Sequence, residues 1–403
     1  MRRLVVFSLV LLLAFAVACS GGAGSSQPTS TQEASPSADS SSQQTESASE
    51  KPSSYKLGVV FPLSGNAAEH GEDMLAGVEF AVDEVNADGG IGGVPVEIVV
   101  EDGKGIPKDT VSATQKLITV DKVPVVFTGF SSPVLASAPI GDQYKVLLIN
   151  AAAATPRLVD AGDYLLNTLV LQNIELDYLT KYVNEEFGIK RMAIIYQNND
   201  LGLGTKDALQ EYMEALGGEL VAAESYEVGA VDFRTQLTKI RDAKPEALYV
   251  ASAGKDTPLI MKQTREMGID ALLLSYHAFE MPKEYMDIAG SAAEGAIYTN
   301  STASVSEEFA KKWAEKYGAE DVTAPSAMYY DAAWMVFKGI EKAMDSGYGF
   351  TGEGIRKAIF EIKEFDGATG SMIMPETGNA IKSVGIKKIE NGEFKLLKTI
   401  EPN

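Results

Sequence analysis

The sequence predicts an α/β protein built on two mostly parallel sheets flanked by helices, and three observations carry that prediction. From Lys56 onward, short apolar runs alternate with amphipathic stretches, the pattern of parallel strands joined by crossover helices. At 403 residues the chain is too long for one ordinary domain and suits about two. Two of the apolar runs, 123–128 and 146–150, stop abruptly at small residues, Ser131 and Ser132 in one case and Ala151 to Thr155 in the other. Buried strands that open into exposed loops have this look, and in open α/β sheets ligands lie beyond the carboxyl ends of strands. These two loops are therefore expected to form one wall of a small-molecule cleft.

Each element follows from its local pattern. Residues 56–61, KLGVVF, form an apolar run of strand length. In 71–88, Met74, Val78, Val82 and Val85 recur every three or four residues and Gly89 with Gly90 supplies the stop, which predicts a helix. A strand at 94–101 and a helix at 107–120 come next, with Pro107 in the first turn, where its missing N–H is no loss. A strand at 123–128, a helix at 133–144 and a strand at 146–150 complete the first half. The alternation resumes with helices at 173–187, 202–216, 233–243 and 257–267, between strands at 191–196, 219–226, 247–251 and 272–275. Two sheets of about five strands each fit better than one long sheet. Helices at 306–317, 324–346 and 351–362 follow, and Asn391-Gly392 between two strand-like runs marks an antiparallel hairpin with a tight turn.

Composition narrows the partners. A formal charge of -21 and a pI near 4.6 argue against nucleic acid and anionic membrane surfaces, because phosphate binding needs clustered Lys and Arg. Acidity of this kind is ordinarily a solubility feature. The single cysteine, Cys19, allows no disulfide and no cysteine metal site within one chain. At the start, Arg2-Arg3, an apolar run over 4–17 and Ala16-Val17-Ala18-Cys19 describe a signal peptide over 1–18, short of the ~20 apolar residues a membrane span needs. This end is similar to a bacterial lipobox, with Ala16 where Leu is commoner. The resemblance implies cleavage before Cys19 and lipidation of its thiol; the alternative is a plain signal peptide. Residues 20–54, dense in Ser, Thr, Gln, Pro and Gly, cannot bury enough surface to fold. They are expected to tether an extracytoplasmic body to a lipid bilayer.

Enzyme and cofactor signatures are incomplete. Gly202-Leu203-Gly204 opens a helix after a strand, but Asp207 stands where a dinucleotide fingerprint has its third glycine, so no nucleotide cofactor is expected. Gly129-Phe130-Ser131-Ser132-Pro133 lacks the closing glycine of a nucleophile elbow, and the sequence places no base beside Ser131. Only two histidines exist, His70 and His277, neither with a metal-ligand partner at useful spacing. Both fall in loops at carboxyl ends of predicted strands, which makes them cleft candidates.

Four blocks, KLGVVFPLSG with GEDMLAGVEFAVDEVNADGGIGG (56–93), FSSPVLASAP, INAAAATPRL and IAGSAAEGAIYT (288–299), carry a resemblance. The region 55–399 resembles the type I periplasmic solute-binding proteins, in particular the leucine/isoleucine/valine-binding branch that serves ABC importers. The resemblance implies a two-lobed clamshell with three hinge crossovers, lobe 1 at 55–172 and 300–381 and lobe 2 at 173–299 and 382–403. It implies no enzymatic activity and no cofactor, and as partners a small-molecule ligand and an inner-membrane ABC permease. It implies that Ser131, with Ser132 and nearby backbone N–H groups, holds a ligand carboxylate. The positions matching the head-group contacts of the second loop are Ala152 and Ala154, with Thr155 the nearest hydroxyl.

The chain departs from the family pattern at three places. His70 stands where relatives often have Tyr, Leu201 where they have an aromatic, and His277 near where the acid that pairs with a ligand ammonium belongs; Glu280 is the nearest carboxylate. The ligand is thus an amino acid, branched-chain or aromatic, or alternatively a carboxylate or amide without an ammonium group, with His70, Phe130, Tyr276 and Phe279 shaping its apolar side. A sensory clamshell without transport, and a secreted hydrolase built on Ser131, are the rival classes.

Overall fold

Strand β1 (Tyr55–Phe61) alternates its side chains between two cores: Leu57, Val59 and Phe61 enter one and Val60 the other. Beside it run β2 (Val96–Asp102), β3 (Val125–Thr128), β4 (Leu147–Asn150) and β5 (Leu165–Asn167), all parallel, in the order β2-β1-β3-β4-β5. Helices α1 (Ala68–Ala87), α2 (Pro107–Thr119) and α3 (Ser131–Tyr144) join them and cover both faces. The computed structural model describes residues 52–252, 254–280, 283–301, 305–318 and 322–401, so the expected signal peptide, Cys19 and most of the tether lie outside the described residues.

The second sheet follows the same winding. After α4 (Gln172–Phe187) come β6 (Arg191–Gln197), α5 (Asp200–Ala215), β7 (Glu219–Tyr226), α6 (Arg234–Ala243) and β8 (Ala247–Ala251). Then come α7 (Asp256–Glu266), β9 (Leu272–Ser275), α8 (Lys283–Ala289) and β10 (Ile297–Asn300). The parallel part is ordered β7-β6-β8-β9-β10. Met192 and Ile194 face the core under α4 and α5, whereas Ala193 and Ile195 face the opposite core.

The chain then returns to the first sheet with α9 (Glu307–Tyr317), α10 (Ala324–Asp345) and α11 (Gly352–Ile362), whose Phe309, Trp313, Tyr329, Met335 and Ile355 join the core containing β1 and α1. A small ribbon of β11 (Glu364–Gly367) and β12 (Gly370–Ile373) follows, and the hairpin of β13 (Val384–Glu390) and β14 (Glu393–Ile400) ends the described chain. That hairpin adds antiparallel to β10, so the second sheet has seven strands rather than about five.

Three passages link the sheets: β5 to α4, β10 to α9 and β12 to β13. The first and third run side by side. The Asn167 N–H donates to the Gly378 carbonyl at 2.8 Å, and the Ala380 N–H donates back to the Asn167 carbonyl at 2.8 Å. Asn167 Nδ2 also donates to Asn379 Oδ1 at 2.8 Å.

Candidate functional site

In both sheets the strand order reverses between the first and third strands to be made, β1/β3 and β6/β8, and such a switch point leaves a crevice at the carboxyl ends. The two sets of carboxyl ends face each other. Thr155, five residues past the end of β4, donates Oγ1 to the Asp200 carbonyl just past β6, at 2.8 Å.

At the first switch point, β3 ends at Thr128 and α3 begins three residues later at Ser131. Gly129 permits this: a Cβ there would lie 2.8 Å from the Tyr329 hydroxyl, which donates to the Thr128 carbonyl at 2.6 Å. Phe130 takes a left-handed φ of 67°, unusual for a bulky residue and a mark of a constrained functional turn. No side chain caps α3, Pro133 has no N–H to offer, and among the described residues the amides and hydroxyls of Ser131 and Ser132 have no hydrogen-bond partner. Half-buried donors at a helix N-terminus favour an anion.

His70 was expected in the loop after β1 and lies instead in the first turn of α1, exposed, because the helix begins at Ala68 rather than Gly71. Its ring sits edge-on to Phe130, with centroids 6.5 Å apart, so β1 and β3 bring these two side chains together. The loop before α1 is fixed by Asp102, which accepts from the Leu63 N–H at 2.9 Å and the Lys104 N–H at 2.8 Å. Burial raises its carboxyl, but these bonds and the Ser64 hydroxyl outweigh that and hold it below the ordinary range.

The loop after β4 is more inward than the sequence suggests. Asn150 Oδ1 accepts the N–H groups of Ala152 at 3.2 Å and Ala153 at 2.8 Å, which closes a turn and ties down the half-buried Ala152. Ala154 is buried, with its carbonyl accepting the Gln172 N–H at 2.9 Å. Thr155 is fully buried and committed to Asp200. Leu201, expected on the ligand side of the second lobe, packs into the first lobe's cluster that contains Ala154 and Leu158.

These residues belong to a contact between the lobes that sequence reasoning missed. Arg157 Nη1 lies 2.9 Å from Asp200 Oδ1, and Nη2 lies 3.5 Å from Asp207 Oδ2. Gly204 explains half of the glycine pair, since a Cβ there would stand 2.7 Å from Thr155 Oγ1. The start of α5 is capped internally by Asn199 Oδ1, which accepts the Gly202 N–H at 2.9 Å, so the turn is not open to a phosphate.

On the second lobe, His277 follows β9 in a short helical turn, half-buried, with its ring perpendicular to Tyr276 at 4.6 Å. Burial pushes its imidazole down to about 4 against the pull of Glu280, so it is neutral near pH 7. Tyr276 is buried and donates its hydroxyl to the Ser252 carbonyl at 2.9 Å. Phe279, offered above as an apolar wall, is fully buried in the second lobe's core, which removes it from any ligand surface. Glu280 is already matched: it pairs with Lys387 and accepts from the Tyr298 hydroxyl at 3.0 Å and from Asn300 Nδ2 at 2.7 Å. Among the described residues no three His, Cys, Asp or Glu side chains gather as a metal site requires.

Comparison with known proteins places this geometry in context. A profile of the periplasmic binding protein family matches residues 54–393. The Leu/Ile/Val-binding protein BraC3 of Rhizobium johnstonii is 28% identical over 345 residues, 84% of this chain and 92% of that protein. The structure of the branched-chain amino acid transporter substrate binding protein LivJ from Streptococcus pneumoniae, in complex with isoleucine, superposes with a TM-score of 0.74. It is 26% identical and covers 87% of this chain and 100% of its own. A solute binding protein of an ABC transporter from Rhodopseudomonas palustris, in complex with 3,4-dihydroxybenzoic acid, shares the fold with a TM-score of 0.74 at 24% identity, over 87% of this chain and 98% of its own.

Proposed function

The chain belongs to the periplasmic binding protein family, and from that premise we propose that it is the extracytoplasmic receptor of an ABC importer, capturing a small carboxylate-bearing ligand between its lobes. The observation that carries this reading is the uncapped start of α3 at the first switch point, where Ser131 and Ser132 offer amides and hydroxyls to an anion. A carboxylate is acceptor-only and needs several donors, which this turn supplies together with the helix dipole. Ala152 would lie beside the head group, and His70 with Phe130 would shape the apolar side next to it.

An amino acid is the leading ligand, in line with the isoleucine held by the pneumococcal relative. A second reading, a carboxylate or amide without an ammonium group, is favoured by the pairing of Glu280 with Lys387, which leaves that acid no charge to give a ligand. A buried ammonium without a counter-charge costs several kcal/mol.

Calorimetry with L-isoleucine, L-phenylalanine and their counterparts lacking the amino group tests both readings. Carboxylates are expected to bind, and Ser131→Ala to weaken them by about tenfold or more, the worth of one hydrogen bond to a charged group. Unchanged affinity in Ser131→Ala, or no binding by either class, sinks the cleft reading. Equal affinity for the amino and desamino members of a pair decides for the second ligand class. Ester turnover abolished by Ser131→Ala would instead favour the hydrolase.

Cys19 would anchor the receptor through a lipid, with the Ser-rich segment as tether, so Cys19→Ser is expected to move the protein from the membrane to the soluble fraction. Co-purification of a permease would separate transport from sensing.

A further inference from the structure

Helix α4 follows the first crossover directly; its first turn bonds to the start of the second and shares a cavity with the third. Glu175, in that turn, is only 2% exposed. Its Oε1 accepts the Ser301 N–H at 3.1 Å, and its Oε2 accepts the Thr299 hydroxyl at 3.4 Å, where β10 ends and the second crossover begins. Asn173 and Ile174 of the same turn line a cavity with Ile381 and Lys382 of the third crossover. The three inter-lobe strands therefore converge at the start of α4, and the second is bonded to it.

We propose that Glu175 is a proton-operated catch on the hinge: ionised, it holds the second crossover at Ser301 with the lobes together, and protonated, it lets that strand go and the lobes open.

The chemistry follows from the donors around it. A carboxylate can accept from both Ser301 and Thr299. A carboxylic acid must donate through one oxygen, so one of the two hydroxyls that bond to it, of Ser301 or Thr299, turns round to accept, and the Ser301 N–H faces a weaker acceptor. The groups facing Glu175 do not supply a cation. Tyr249 of β8 and Tyr276 after β9 are fully buried phenols, raised first by desolvation and then by the Glu175 charge, and stay neutral. Asp177, two residues along α4, is paired with Lys181 at 2.7 Å. Lys382 turns its ammonium to Thr369 Oγ1 at 2.8 Å, and Asp331 is the charge it feels. With burial as the leading influence, opposed only by the Ser301 and Thr299 bonds, the carboxyl titrates at about 7.

The proposal rests on the hinged-receptor reading for its consequence, but its test needs no ligand. The full chain, labelled with carbon-13 at glutamate side-chain carboxyls, is titrated by NMR while exchange of the Ser301 amide and the radius of gyration are followed on unlabelled protein. One glutamate is expected to titrate near 7. Over the same range the protection of Ser301, corrected for the intrinsic rate, should rise with pH by up to about tenfold per unit, the limit for one coupled proton. The ligand-free radius of gyration should be larger at about pH 6 than at about pH 8, either side of the Glu175 value. Glu175→Gln should abolish the NMR signal and both pH steps. The NMR measurement on the wild type stands even if that variant folds poorly. No glutamate titrating near 7 overturns the proposal. So does a titration without a change in Ser301 protection or in the radius of gyration, and that outcome leaves the solute-receptor reading intact.

Discussion

At the residue scale, two ionisable groups of the second lobe set opposing pH trends. Glu175 ordinarily titrates at 4.5, but burial holds its proton to about 7 in the folded chain. Between those values the folded state binds the extra proton, so stability falls as pH rises across the window, by roughly 3 kcal/mol in all. His277 acts in the other direction. Its unfolded imidazole takes up a proton near 6.5 and its folded one near 4, so stability falls as pH drops through that range. Relative to wild type, Glu175→Gln is expected to lose urea resistance toward acid, and His277→Phe to gain it; parallel pH profiles for all three proteins would contradict the assignment. Neither shift was legible in the sequence. Glu175 looks like one more polar helix position, because its partner Ser301 lies 126 residues away. Ser131 was legible as a candidate, since a hydroxyl directly after a buried strand is a local signal. Thr155, the nearest hydroxyl after the other strand, turns elsewhere, toward Asp200, 45 residues on.

At the scale of elements, the long periodic helices and the apolar strands were readable, and β5, β11 and β12 were not. α1 and α10 repeat their apolar positions over several turns, and β3, β4 and β9 stand out as apolar runs, whereas β5 has three residues and β11 and β12, EFDG and GSMI, are too short for a period of two and not apolar throughout. Contacts across elements explain what the pattern cannot. Phe80 of α1 is buried at the centre of an aromatic cluster, with ring centroids 5.6–6.0 Å from Phe309, Trp313, Tyr317 and Tyr330 of α9 and α10. Those helices arrive only after the chain has built the parallel part of the second sheet, so this cluster seals the first lobe late in the sequence. Phe80→Ala is expected to cost about 3–5 kcal/mol, seen as a lower urea midpoint with an unchanged slope. A loss below about 1 kcal/mol would mean that the cluster repacks around the cavity.

At the scale of the molecule, the two lobes also touch independently of any ligand. Arg157 with Asp200 and Asp207, and Thr155 with the Asp200 carbonyl, join them at one edge of the cleft. Exposed ion pairs are worth about 1 kcal/mol or less, so Arg157→Ala should lower the closed fraction of the ligand-free receptor about fivefold at most. Scattering should show a larger radius of gyration for the variant, and added salt should move wild type the same way. No change in either would show that the edge contact follows closure without favouring it. The division into two α/β halves was legible from the repeated alternation; this contact was not, because it joins loops from separate halves.

The stitching of Asn167 to Gly378, Asn379 and Ala380 has a kinetic consequence. With two connecting strands bonded to each other beside a third, sliding and shearing of one lobe on the other are suppressed and rotation about a single line remains. The empty receptor then sweeps an arc rather than a volume. If a ligand rests on Ser131 as proposed, it would meet the opposite lobe after a one-dimensional search, and capture should be paced by diffusional encounter rather than by reorganisation of the protein.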